Sequence, residues 1–110
     1  MSTELESLAR RAVACKGWRW MPGMADCWGG RVREGDGLDR AAALPDFRDP
    51  ATLGCLLALV REAYRQPRIV AVPMSNDKWG VAIPSVLRTT DRFRSDTEAE
   101  ALVKALEAAP

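Results

Sequence analysis

Residues 45–67, PDFRDPATLGCLLALVREAYRQP, are the stretch whose reading decides the fold. They form the most apolar segment, and helix punctuation stands at both ends. Asp49 can accept a hydrogen bond from the first free amides, and Pro50 occupies the first helical position, where a missing N–H costs nothing. Pro67 ends the run, because a residue before proline is pushed out of helical geometry. Between them Leu53, Cys55, Leu56, Leu57, Leu59, Val60, Ala63 and Tyr64 leave little polar face before Arg61 and Glu62. A helix apolar nearly all round is buried on more than one side. The spacing predicts a helix over residues 49–65 around which the rest of the chain packs.

The chain around it is 110 residues long, enough for one core and one domain, residues 1–110. A hydrophobic content of 47% with mixed charges is that of a folded globular protein. The formal charge of +1 exerts no global pull on nucleic acid, membrane or acidic substrate. Glu4 and Glu6 stand where the basic region of a signal peptide would be, and no stretch reaches the roughly 18 apolar residues of a membrane span. The expected location is therefore the cytoplasm of the host, without membrane association.

The cysteine and histidine content narrows the chemistry. Cys15, Cys27 and Cys55 are widely spaced and form no C-x-x-C pair, and histidine is absent. Three cysteines without histidine make a poor zinc site, and the commonest general base is missing. The expectation is no enzyme, no metal and no cofactor, with three reduced cysteines acting as small hydrophobes.

Upstream, Thr3 and Glu6 have capping-box spacing. Leu5, Leu8, Ala9, Ala12 and Val13 form one apolar stripe, Glu6 and Arg10 are an i,i+4 pair, and Gly17 is a natural stop. In GWRWMPGM, residues 17–24, Trp18 and Trp20 share one side of an expected strand. A second short strand is expected over 24–28, turning at Gly29-Gly30 into 31–33, and residues 34–48 read mostly as loop.

Downstream, Arg68-Ile69-Val70-Ala71-Val72-Pro73 is rich in β-branched residues and apolar on both faces, which suggests an interior strand. Pro73 argues against pairing at its end. Ser75-Asn76-Asp77 is turn chemistry, and residues 78–83 alternate, giving an antiparallel hairpin. Residues 84–95 read as a loop carrying Arg88, Arg92 and Arg94 around Phe93. A last helix follows, capped by Ser95 or Asp96, with the stripe Ala99, Leu102, Val103 and Leu106 and the pair Glu100–Lys104. The predicted class is α+β, a small antiparallel sheet of three or four strands with three helices in the order α-β(β)-α-β-β-α.

Three blocks carry a resemblance: LARRAVACKGWRWMPGM at 8–24, PDFRDPATLGCLLALVREAY at 45–64 and TEAEALVKALEAAP at 97–110. In this order, over just under half of the chain, they resemble a family of small, functionally uncharacterised proteins of tailed phages and prophages. The chain departs from that pattern at Phe47, where the family tends to an aliphatic residue. The resemblance implies a phage or prophage origin and brings no catalytic residue with it.

Two surfaces stand out as candidates for binding. Trp18, Arg19 and Trp20, with Arg10, Arg11, Lys16, Arg31 and Arg33 nearby in sequence, could stack on bases and neutralise phosphates. The plainer account packs both tryptophans on the core. The second is the loop with Arg88, Arg92, Phe93 and Arg94; an exposed Phe93 would be an interface anchor, a buried one a pin for the loop. Asp36, Asp39, Asp46 and Asp49 lack the spacing of a calcium loop, and Cys27 beside Asp26 lacks a base. With the origin that the resemblance implies, the expected function is macromolecular binding by a phage or prophage accessory protein, with a host or phage protein as partner. By analogy alone with other small phage proteins, it is expected to act as an inhibitor of a host defence or host enzyme. A nucleic-acid-binding factor and a virion assembly component are the alternatives. A homodimer through the 49–65 helix would cover its surplus apolar side.

Overall fold

Ala99, Ala101, Leu102, Val103, Ala105 and Leu106 are all buried, and they lie on one ten-residue helix near the end of the chain. A computed structural model describes residues 3–33, 43–83 and 88–110, and of 88–92 the backbone alone. Three helices, α1 (Thr3–Val13), α2 (Pro50–Tyr64) and α3 (Glu98–Glu107), accompany three strands, β1 (Val70–Pro73), β2 (Trp79–Ile83) and β3 (Arg88–Ser95). The strands form one antiparallel sheet in the order β1-β2-β3. The α+β class is as expected, and the order along the chain is α-α-β-β-β-α.

The centre of the molecule is α3. It packs against all three strands and against both α1 and α2. Its alanines explain why: Ala101 and Ala105 have no side chain beyond Cβ, so neighbouring backbones can approach from several directions, while Leu102, Val103 and Leu106 supply the apolar volume. Each fully buried Leu or Val contributes about 1.5–3 kcal/mol. The sequence reading placed α2 in this role. α2 is instead a flanking helix, with Thr52, Leu56, Leu59 and Val60 buried and Ala51, Gly54 and Glu62 exposed.

The punctuation of α2 is as read. Asp49 accepts from the Thr52 N–H, Pro50 follows it, and Arg65 in a left-handed conformation closes the helix two residues before Pro67. The Arg61 Nε donates to the Ile69 carbonyl at 2.7 Å, and the Tyr64 hydroxyl donates to the Ala105 carbonyl at 2.9 Å. Arg11 of α1 pairs with Glu107 of α3. The C-terminal ends of all three helices therefore meet. Gly17 belongs to this junction for a reason other than stopping a helix: a Cβ there would stand 3.1 Å from Leu106 Cδ1 and 3.4 Å from Ala63 Cβ.

Four local expectations need correction. Residues 17–24 form no strand; they run irregularly from α1 to a turn at Pro22-Gly23. The hairpin of 24–33 shrinks to a bridge between Ala25 and Arg31, and Asp26 forms a second bridge with Pro45. Residues 88–95, read as part of a loop, are β3; residues 84–87 lie outside the described range, as does 34–42 of the other expected loop. Backbone pairing with β2 (Arg88 opposite Ile83, Thr90 opposite Val81) prevails over a charged pattern that carries no alternation. Because β3 is a strand up to Ser95, the cap of α3 moves to Thr97, whose hydroxyl accepts from the Glu100 N–H at 3.1 Å.

β1 lies at an edge rather than inside the sheet, and β2 is central. Pro73 stands opposite Trp79, so the end of the strand is paired, contrary to expectation, and its missing N–H is accommodated at an edge. Val70 and Val72 share a face with Ala82 and Gly80, the face opposite that of Val81 and Ile83. The link between β1 and β2 is the Ser75–Asp77 turn, with Asn76 and Asp77 at positive φ, as the residue types suggested.

Candidate interaction surface

Trp20 is buried, with 6% of its surface accessible, and it meets Trp18 edge to face with ring centroids 5.6 Å apart. Both rings belong to the core cluster, Trp18 as a half-buried member. The Arg19 side chain pairs with Glu62 on α2. Phe93 is 3% exposed and forms part of the core, so it fastens β3 and is no anchor for a partner. Arg94 is exposed, while the side chains of Arg88 and Arg92 lie outside the described residues. The aromatic residues of both candidate surfaces therefore belong to the core.

A turn that the sequence reading took only as a hairpin end has the more distinctive geometry. The Asp26 carboxylate is buried, and its Oδ1 accepts from the backbone N–H of Trp28 and of Gly30, each at 2.9 Å. The Asp26 N–H donates to the Gly30 carbonyl, and the Gly29 N–H donates back to the Asp26 carbonyl. Gly29 sits at φ +87°, a conformation that side chains rarely adopt. At Gly30 a Cβ would approach Asp26 Oδ2 to 2.7 Å, so the carboxylate itself requires glycine there. The Cys27 N–H donates to the Leu44 carbonyl at 2.8 Å, fixing the far side of the turn. At the tip stands Trp28, 72% exposed.

The base of this turn is clamped to α2. Arg31 forms a bidentate pair with Asp49 at 2.9 and 3.0 Å and also donates to the Gly23 carbonyl. Asp49 in turn accepts from the N–H and the hydroxyl of Thr52, and the Thr52 oxygen accepts from the Ala25 N–H at 2.8 Å. The Arg31 guanidinium, with Thr52 second, holds the Asp49 carboxyl well below the usual carboxylate range. Arg48 lowers the pKa of Asp46, which lies next to Pro45 in the Asp26–Pro45 bridge. These carboxylates serve caps and ion pairs, and Asp36 and Asp39 lie outside the described residues.

Among the described residues there is no cluster of ligating side chains of the kind that holds a metal ion. The Cys15 thiol donates to the Arg11 carbonyl, and burial pushes the thiols of Cys15 and Cys55 up from their ordinary pKa. An open groove of about 820 Å³ runs between the N-terminal parts of α1 and α3, with Leu5 and Leu8 beside Glu4, Asp96 and Glu100. No described helix is long and apolar enough to cross a membrane.

The exposed Trp28 escaped the reading from sequence because four tryptophans look alike there. A signal was present in Asp26-x-x-Gly29-Gly30, an acidic residue followed by two glycines, which marks a tight turn with its middle residue at the tip. Comparison with protein families, with curated proteins and with solved structures finds no match for the chain.

Proposed function

We propose that this chain is a phage or prophage accessory protein that acts by binding another protein, with no chemistry of its own. The phage origin rests on the resemblance of the three sequence blocks. The step to an inhibitor of a host defence or host enzyme is an analogy with other small phage proteins that work by binding.

The preference for a protein over a nucleic acid is carried by one observation, the commitment of the cations. Among the described residues Arg10, Arg11, Arg19, Arg31, Arg48, Lys78 and Lys104 each pair with a carboxylate of the same chain. A nucleic-acid site needs several cations released toward phosphates, and non-specific affinity comes almost wholly from them. Where cations are matched within the fold, as these seven are, the local charge is balanced, which suits a protein partner. A homodimer through α2 is the alternative partner reading; on that helix Thr52, Cys55 and Glu62 are engaged within the chain by Ala25, Pro22 and Arg19.

The test is a pair of measurements on the wild-type chain. Immobilised on beads, it is expected to retain a discrete protein from a lysate of the organism that encodes it. Titrated with labelled single- and double-stranded oligonucleotides at low salt, it is expected to show no saturable binding. Salt-sensitive binding to either oligonucleotide would reverse the choice.

A further inference from the structure

Residue 28 is held by its backbone and contributes little through its side chain. The fold uses the Trp28 N–H, which donates to Asp26, and any residue except proline could supply that group. The indole itself is 72% exposed, and it stands apart from the apolar core to which Trp18 and Trp20 belong. The tip is nonetheless rigidly placed: a buried carboxylate, two glycines that tolerate no substitution without strain, a hydrogen bond to Leu44 and the Arg31–Asp49–Thr52 clamp all fix its direction. Among the described residues the only other exposed large hydrophobic side chain is Val70, at 39%.

From this arrangement we infer that Trp28 is the anchor by which the protein docks, its indole entering an apolar cleft on a folded protein partner. The inference rests on the protein-binding reading above and gives it a site. Tryptophan is enriched among the few residues that dominate interface energetics, and its ring combines a large apolar face with one N–H donor. A turn whose backbone is already fixed loses little conformational freedom on binding, which favours affinity. The chemistry of the partner follows from the charges around the turn. Arg31 is neutralised by Asp49 and Arg48 by Asp46, so the base of the turn that carries the anchor holds balanced pairs. Balanced charge there matches a neutral, apolar cleft offering a carbonyl oxygen to the indole N–H. Phosphates would have to compete with those carboxylates for the arginines.

The experiment uses the full chain and three variants, Trp28→Ala, Trp28→Phe and Val70→Ala. The protein retained from the lysate is purified and titrated against each. Trp28→Ala is expected to weaken binding by about thirtyfold, the scale of an interface hot spot. Trp28→Phe should lose less and Val70→Ala almost nothing, with thermal midpoints unchanged for both Trp28 variants. Equal binding by wild type and Trp28→Ala overturns the anchor and leaves the protein-binding reading standing. Failure of the wild type to retain any discrete protein removes that reading and the anchor with it. Light scattering and oligonucleotide titration of the same proteins cover the other occupants. Self-association or oligonucleotide binding that disappears with Trp28→Ala would assign the indole to a second copy or to a nucleic acid, and would overturn the inference.

Discussion

At the scale of single residues, the two aromatic neighbours Trp18 and Trp20 differ in what they do for stability. Trp20 fills core volume, whereas the Trp18 Nε1 is buried without a hydrogen-bond partner. An orphaned donor of this kind costs about 1–3 kcal/mol. Trp18→Phe keeps most of the apolar contact and removes the orphan, so it is expected to leave the urea midpoint unchanged or to raise it. Trp20→Ala should lower stability by about 3–5 kcal/mol in the same experiment. The sequence placed both residues on one strand face and could not separate these roles. The edge-to-face contact depends on how residues 17–24 cross α2 and α3, and nothing local encodes that path. Trp28 shows the same limit from the other side: its turn was readable from Asp26, Gly29 and Gly30, its exposure was not.

At the scale of elements, the legible parts are those whose ends carry their own chemistry. Asp49 and Pro50 begin α2 where their residue types predict, and the hairpin of β1 and β2 follows from branched residues on either side of a Ser-Asn-Asp turn. β3 was illegible because its pairing satisfies backbone groups, whereas its arginines advertise solvent. The clamp between α2 and the 23–31 segment also has a pH signature. Asp49, Asp46 and Asp96 are held below their ordinary pKa by Arg31, Arg48 and Lys78 respectively. A carboxyl with a lower pKa folded than unfolded stabilises the fold above its unfolded value, roughly 3.9, and loses that contribution as pH falls toward the folded value. Urea midpoints are therefore expected to be flat from neutral pH down to about 5 and to fall steeply below about 4. Asp49→Asn should be less stable at pH 7 and show a shallower acid limb, because one of the three carboxylates no longer titrates.

At the scale of the whole molecule, α3 is the common partner of two helices and three strands. The sequence undervalued it because alanine reads as a neutral residue, whereas Ala101 and Ala105 are what let five neighbours close on one helix. Adding volume there should be felt widely. Ala105→Leu places three extra carbons in a fully buried position and is expected to cost about 1–3 kcal/mol, read as a lower thermal midpoint with intact helical circular dichroism. Leu57→Met on α2, a half-buried and volume-conserving change, should cost less than about 1.5 kcal/mol. The position of α3 also sets a timetable during synthesis. A ribosome makes α1, α2 and all three strands before it reaches residue 98, and each of them waits with its apolar side uncovered. Leu56 and Leu59, Leu8, Val81 and Phe93 have no common core until Leu102 and Leu106 have left the exit tunnel. Until α3 has emerged, the elements made before it expose the apolar sides that it covers in the folded domain, so completion of the core waits on that helix.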